Sequence, residues 1–135
     1  MAELKQVNRI IIHCSATREG AKFDVEDIDR WHKAKGWAGC GYHIVLPLGG
    51  RVQYGRSLNR TGAHTYGKNS DSIGICIIGG LDKDGKPKDT RTQEQIDTLK
   101  AVISALKEDY PNATVHGHNE FSNKACPSFD VSKEF

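Results

Sequence analysis

Two stretches near opposite ends of the chain carry side chains that can bind the same metal ion. An apolar run ends at His13, and the late segment 116–130 contains His116, His118 and Cys126. Imidazole and thiolate are ligands that zinc commonly takes in proteins. Three protein ligands leave a fourth position for water, and this open position distinguishes a catalytic zinc site from a structural one. We therefore predict a fold that brings His13, His118 and Cys126 together around one zinc ion.

The spacing by itself leaves other assignments open. The chain contains six histidines, so a His-x7-Cys spacing can arise by coincidence. His116 competes with His118, because residues two apart in a strand face the same side. We favour His118 because it follows the strand, where loops commonly carry sites. A fourth protein ligand would make the site structural, but Cys14, the nearest candidate, should point to the opposite strand face from His13.

Length and composition limit the class of protein. A chain of 135 residues can bury a core in one domain, to which we assign residues 1–135. The net charge of +2 indicates neither nucleic acid nor a membrane surface as a partner. The first six residues lack the basic and apolar segments of a signal peptide, so we predict synthesis in the cytoplasm. We interpret Cys14 and Cys76 as core residues in apolar runs and do not predict disulfides.

Strand and helix patterns alternate along the chain. Apolar runs predict strands at 7–14, 42–48, 51–54, 73–78 and 114–116. Helical spacing follows an N-cap at Asp24 and a capping box at Thr92, and Gly36 and Pro111 should end the two helices. We expect polar loops at 15–23, 57–72 and 79–91. The alternation predicts a single α/β domain with a mixed central β-sheet flanked by helices.

Several other polar side chains have both a functional and a structural interpretation. Lys124 lies two residues before the predicted thiolate and could stabilise an oxyanion, although lysines are commonly just solvated. Tyr42 is by default a half-buried strand residue. His64 lies in the long loop and is equally consistent with substrate contact and with a plain surface role. We expect His43 to be a core or supporting residue and His32 to be a surface or core residue, rather than metal ligands.

Seven short motifs occur in a fixed order over nearly the whole chain. They are Ile12-His13-Cys14-Ser15-Ala16-Thr17, Arg30-Trp31-His32-Lys33, Gly36-Trp37, Gly41-Tyr42-His43, Asn69-Ser70-Asp71-Ser72-Ile73-Gly74-Ile75-Cys76, Gly79-Gly80 and Lys124-Ala125-Cys126-Pro127-Ser128-Phe129-Asp130. The last motif is the most specific. With these motifs the chain resembles the type-2 zinc N-acetylmuramoyl-L-alanine amidases, a family that includes the animal peptidoglycan recognition proteins.

The resemblance implies roles for individual residues. It implies that His13, His118 and Cys126 bind zinc, that Tyr42 and Lys124 are catalytic, and that His64 lies close to the substrate cleft. The implied reaction is hydrolysis of the amide between the lactyl group of N-acetylmuramic acid and the L-alanine of the stem peptide. In the branch of the family that binds peptidoglycan without cutting it, the cysteine ligand is typically replaced, whereas Cys126 is present here.

The resemblance also implies partners and a site of action. We expect a monomer whose substrate is peptidoglycan or a muropeptide. The lack of an export signal fits a phage or prophage lysis enzyme released through a holin, and it also fits an effector delivered by a secretion apparatus. One phage member of the family also inhibits an RNA polymerase. The surface contacts behind that role cannot be transferred residue by residue, so RNA polymerase is kept only as an alternative partner.

Overall fold

Nine strands and helices follow one another along residues 2–135, the part of the chain that this computed structural model describes. Met1, the first residue of the predicted domain, lies outside the described residues. The elements are β1 (Arg9–Cys14), β2 (Thr17–Arg18), α1 (Val25–Ala34), β3 (Ile44–Leu46), β4 (Gln53–Tyr54), β5 (Ser72–Ile77), β6 (Gly80–Leu81), α2 (Gln93–Asp109) and β7 (Thr114–Gly117). Short 3-10 turns lie at Asn69–Asp71, His118–Glu120 and Val131–Lys133. None of the described helices is long and apolar enough to cross a membrane.

Five strands form one mixed sheet in the order β4-β3-β5-β1-β7. β1 pairs in parallel with β5 on one side and with β7 on the other. β3 is parallel to β5. β4 forms a hairpin with β3 and is antiparallel to β3. β1 therefore has neighbours on both edges, which explains why its sequence is a nearly continuous apolar run. The predicted α/β class and mixed central sheet are confirmed.

The two faces of the sheet are covered by different helices. One face packs against α2, through Ile10 and Ile12 of β1, Ile73, Ile75 and Ile77 of β5, and Leu99, Ile103 and Leu106 of the helix. On the other face Val45 and Cys76 pack with Ile28 of α1. His13 is in register with Cys76, and paired residues of parallel strands point to the same face. His13 therefore lies on the α1 side of the sheet.

Both predicted helix starts are confirmed by their caps. The Asp24 side chain accepts hydrogen bonds from backbone N–H groups in the first turn of α1, and the Thr92 side chain does the same for α2. The fully buried Gln95 completes the second cap and also donates hydrogen bonds to the carbonyls of Leu46 and Ile78. Gln95 thus attaches the start of α2 to the central strands.

Two predicted loops and one strand boundary differ from the structure. The predicted loops 15–23 and 79–91 contain β2 and β6, which pair in parallel as a separate two-stranded sheet. Two-residue strands are too short to produce a periodic pattern, so they could not be recognised. The strand predicted at 42–48 begins only at Ile44, and Tyr42 and His43 precede it on the approach to the sheet.

Candidate metal centre and active site

The side chains of His13, His118 and Cys126 come together at the carboxyl end of β1. One ligand atom from each lies within 4.8 Å of the other two. His13 is the fifth residue of β1, His118 follows β7 directly, and Cys126 lies in the next loop. β1 and β7 are parallel neighbours, so their carboxyl ends lie at the same edge of the sheet. The structure therefore brings the three predicted ligands to one point.

The chemistry of this group suits a zinc ion. Two imidazoles and one thiolate form a donor set that zinc accepts, and no fourth His, Cys, Asp or Glu among residues 2–135 joins the group. Burial, followed by electrostatic interactions with His64, His118 and Lys124, lowers the pKa of His13 well below 6.5. Burial and then Lys124 also lower the pKa of His118. Both imidazoles are therefore neutral near pH 7, the form that binds a cation.

Cys126 is held by contacts with Cys14. The Cys126 sulfur accepts a hydrogen bond from the Cys14 backbone N–H at 3.1 Å. A hydrogen bond with the Cys14 thiol, followed by burial, raises the pKa of Cys126, and a coordinated divalent cation reverses this by holding the thiolate. Cys14 is buried and stays outside the ligand group, as predicted. Its interpretation as a simple core residue is incomplete, because its thiol contacts Cys126.

A cleft of about 610 Å³ opens over the three ligands. Tyr42, His64 and Lys124 line it together with the ligands, and so does Lys35. Of the described residues that line this cleft, none is an aspartate or glutamate. The lysines therefore give the cleft a positive potential, which favours an anionic ligand.

Tyr42 lies beside the ligands with its hydroxyl protonated. Its ring centroid is 5.1 Å from that of His13 and 5.6 Å from that of His32. The side chain reaches the cleft, but most of it is enclosed by protein. Burial, followed by the nearby thiols of Cys76 and Cys126, raises the pKa of Tyr42 well above its usual value. The hydroxyl can therefore donate a hydrogen bond at neutral pH.

His64 contacts His13, and its side chain is only partly exposed, although it lies in the segment predicted to be a surface loop. Its Nδ1 is 2.9 Å from Nε2 of His13, and its ring covers Gly74 of β5, where an added Cβ would lie 2.6 Å from the ring. Burial, followed by His43 and His118, lowers the pKa of His64 to about 3. His64 also lines the cleft, so its substrate contact stays a prediction, but its contacts are those of a residue that supports His13.

The remaining histidines lie outside the ligand group. The Nδ1 atom of His43 accepts a hydrogen bond from the Gly74 N–H, and that of His32 accepts one from the Gly41 N–H. Both are buried supports, within the alternatives predicted for them. His116 is bound instead by Glu120 and Thr114, so the geometry favours His118 over His116.

The sequence patterns predicted no role for Thr65 and Ser72, which contact His13 and His64. The Thr65 hydroxyl lies 3.1 Å from Nε2 of His13, and the Ser72 hydroxyl lies 3.4 Å from Nε2 of His64. The available signals were that Thr65 follows His64 directly and that Ser72 lies in one of the seven motifs. A threonine in a polar loop carries no pattern that distinguishes a buried support from a solvated residue.

Comparisons with known proteins agree with this geometry. A family model described as N-acetylmuramoyl-L-alanine amidase matches residues 3–129. The endolysins of Enterobacteria phage K11 and Escherichia phage T7 are each 37% identical over 129 residues, covering 96% of this chain and 85% of each relative. The amidase LysC from Clostridium intestinale URNW has a TM-score of 0.80 at 26% identity, covering 96% of this chain and 81% of LysC.

The similarity extends to animal proteins. Bumblebee PGRP-SA has a TM-score of 0.82 at 26% identity, covering 99% of this chain and 83% of that protein. The assignment of residues 1–135 to one domain stays a prediction, although the family model spans most of that range. Because the match covers nearly the whole chain and the motifs around the ligands occupy one cleft, the chain belongs to the N-acetylmuramoyl-L-alanine amidase family.

Proposed function

We propose that this amidase uses one zinc ion, held by His13, His118 and Cys126, to hydrolyse the amide between N-acetylmuramic acid and L-alanine in peptidoglycan. The observation that carries the proposal is the convergence of these three side chains beneath a cleft that also contains Tyr42 and Lys124. The family and the phage endolysin relatives support the reaction and a role in cell-wall lysis.

A zinc ion bound here would supply Lewis acidity, which lowers the pKa of a bound water and polarises a carbonyl group. The neutral imidazoles of His13 and His118 would hold the ion, together with the Cys126 thiolate. In this proposal the thiolate is a ligand of the ion and not a nucleophile, and the Cys14 N–H, 3.1 Å from the sulfur, would help to stabilise its negative charge.

Lys124 and Tyr42 have complementary roles in this proposal. The Lys124 ammonium would stabilise the oxyanion that forms when the lactyl carbonyl is attacked. The Tyr42 hydroxyl keeps its proton at neutral pH, so it would orient the attacking water. The leaving L-alanine nitrogen would gain a proton from Tyr42 or Lys124, and the proton that the attacking water loses would replace it. His64 would support His13, and because it also lines the cleft, its predicted substrate contact stays part of the proposal.

The test is mass spectrometry of the products released from purified sacculi, with and without a zinc chelator. We expect free muramic lactyl groups and peptides that begin with L-alanine, and no release in the chelator. Cuts between sugars or between amino acids would contradict the proposal. A peptidoglycan-binding module without activity would give no product at all.

Variants of the ligands identify the metal site. Cys126→Ser and His13→Ala should lose both zinc and hydrolysis, whereas the matched control His116→Ala should keep both, because His116 lies outside the group. If Cys126→Ser, shown to be free of metal, still released peptides, the zinc assignment would be wrong.

The route to the substrate forms a separate part of the proposal. We propose that the chain acts on the cell wall after release from the cytoplasm, through a holin or a secretion apparatus. Light scattering would test the predicted monomer. The RNA polymerase interaction stays a prediction, which a transcription assay with added protein would test.

A further inference from the structure

A chain of hydrogen bonds runs from His13 into the protein and ends at a backbone carbonyl. His13 Nε2 is 3.1 Å from the Thr65 hydroxyl, which is 2.9 Å from His64 Nδ1. His64 Nε2 is 3.4 Å from the Ser72 hydroxyl, which donates to the Lys68 carbonyl at 2.7 Å. None of the buried side-chain nitrogen or oxygen atoms described lacks a hydrogen-bond partner. The donor and acceptor of each hydrogen bond in this series can therefore be assigned in turn.

The direction of each hydrogen bond follows from the carbonyl end. A carbonyl only accepts, so the single Ser72 proton goes to Lys68, and the Ser72 oxygen accepts from His64 Nε2–H. A neutral imidazole has one N–H, so His64 Nδ1 must accept, and the Thr65 hydroxyl donates to it. The Thr65 oxygen then accepts from His13 Nε2–H.

A second contact is compatible with the same tautomer. His13 Nε2 also lies 2.9 Å from His64 Nδ1. Because His64 Nδ1 carries no proton in this arrangement, the single His13 Nε2–H is shared between the Thr65 oxygen and His64 Nδ1. The lone pair of His13 is then on Nδ1, the atom left free to bind an ion.

Thr65 is fixed firmly enough to impose this orientation. It is only 2% exposed. The Asn69 side-chain oxygen accepts the backbone N–H groups of His64 and Thr65 at 3.0 and 2.9 Å. The Lys68 N–H donates to the Thr65 carbonyl at 3.0 Å. The hydroxyl therefore reaches His13 from a turn that several hydrogen bonds hold in place.

We propose that Thr65 is a positioning residue for the metal centre, and that its hydroxyl, with His64 and Ser72 behind it, holds His13 as the Nε2–H tautomer with Nδ1 directed to the ion. The proposal rests on the zinc site of the proposed function. Partners of this kind orient metal-binding histidines, and their loss commonly costs about 10–100-fold in metal affinity.

The first experiment measures zinc affinity by competition with a chromophoric chelator. Thr65→Val keeps the shape of the side chain and removes the hydroxyl, so we expect about 10–100-fold weaker zinc binding. Thr65→Ser should restore most of the affinity. The matched control is Thr98→Val in α2, whose hydroxyl donates to the Gly50 carbonyl on the other side of the sheet. It should bind zinc like the wild type, and equal affinities of Thr65→Val and Thr98→Val would overturn the proposal.

The second experiment needs no variant. Long-range ¹H–¹⁵N NMR of the histidine rings in zinc-free protein reports which nitrogen carries the proton. We expect His13 as the Nε2–H tautomer in the wild type and in Thr65→Ser, and a mixture of tautomers in Thr65→Val. A wild-type His13 protonated on Nδ1 would overturn the proposal. Tight zinc binding without release of peptides would overturn the proposed reaction and leave the role of Thr65 intact.

Discussion

Tyr42 and Lys124 both line the cleft with His13, His118 and Cys126 but contribute different physical properties. Lys124 is exposed, and its charge acts at a distance, since it lowers the pKa of both ligand histidines after burial has done so. Tyr42 is enclosed, and its contribution is a hydroxyl proton that burial makes difficult to remove. The contributions of Tyr42 and Lys124 can be tested separately by substitution, because neither residue belongs to the group of His13, His118 and Cys126.

Lys124→Ala should leave zinc bound but slow the reaction. Removal of one oxyanion donor commonly lowers kcat by about 10²–10³-fold. Zinc content and kcat on muropeptide test this, with Lys83→Ala, an exposed lysine outside the cleft, as the control. An unchanged kcat would remove Lys124 from the mechanism.

Tyr42→Phe should also retain zinc, because the ring that packs beside His13 is kept. Loss of a group that positions or transfers a proton commonly costs about 10²–10⁴-fold in kcat. Tyr54→Phe is the matched control, since Tyr54 is 65% exposed on β4 and does not line the cleft. If the two variants had equal rates, the Tyr42 hydroxyl would have no part in catalysis.

At the scale of the element, β5 connects the core to the candidate site through one glycine. Ile73 and Ile75 point into the α2 core, and Gly74 between them faces the cleft side, where the His64 ring covers it. The Gly74 N–H donates to His43, and its carbonyl accepts the His43 N–H. A side chain at this position would occupy the volume that His64 needs.

Gly74→Ala should therefore displace His64 and destabilise the protein. An added Cβ would lie 2.6–2.8 Å from atoms of the His64 ring, and overpacking of this kind commonly costs about 1–3 kcal/mol. Denaturant unfolding of zinc-free protein measures the loss, and zinc affinity should fall with it. Gly49→Ala is the control, because a Cβ added at Gly49 would have no neighbouring atom within 4 Å. Equal stability of both variants would contradict the packing argument.

Elements with a long pattern were predictable, and contacts made in three dimensions were not. β1, β5 and both helices have apolar runs or capping residues that local chemistry explains. β2 and β6 have two residues each, so their pairing depends on the meeting of two distant loops. The grouping of His13, His118 and Cys126 was predictable from an apolar run that ends at a histidine, a His-x7-Cys spacing and the resemblance to the family. The support by Thr65 and Ser72 depends on the turn that Asn69 holds.

At the scale of the whole molecule, Arg91 connects the segment after Cys126 to the rest of the protein. Its side chain is 7% exposed and pairs with Asp89 at 2.9 Å and with Glu134 at 2.7 Å. The guanidinium carbon also lies 3.5 Å from the centroid of the Phe129 ring. A planar guanidinium can make all three contacts at once, which an ammonium cannot.

Arg91→Ala should destabilise the protein by about 2 kcal/mol or more, the value of a desolvated cation–π contact alone. Arg91→Lys should recover only part of the loss. Thermal or denaturant unfolding tests this against Arg30→Ala, which removes an exposed ion pair with Asp27 and should cost about 1 kcal/mol or less. A loss in Arg91→Ala no greater than in Arg30→Ala would show that the contacts are not coupled.

The free energy of unfolding should fall on acidification, because two enclosed imidazoles take up protons when the protein unfolds. Burial is the main cause that lowers the pKa of His43 from 6.5 and that of His64 to about 3. The unfolded chain therefore binds more protons below pH 6.5, so stability is complete above that pH and is lost as the pH falls towards 3. Unfolding of zinc-free protein at about pH 7.5 and about pH 5 measures the difference. Equal free energies of unfolding would contradict these pKa shifts.

The position of β1 inside the sheet has a consequence for the timing of synthesis. Cys14 and Cys126, which touch in the folded protein, are 112 residues apart in the chain. During translation, His13 and Cys14 therefore leave the ribosome long before His118 and Cys126 have been made. Until β7 and the loop that carries Cys126 have been translated and β7 has paired with β1, the growing polypeptide lacks the complete candidate active site. The order of translation thus delays assembly of the candidate site until Cys126 has been made.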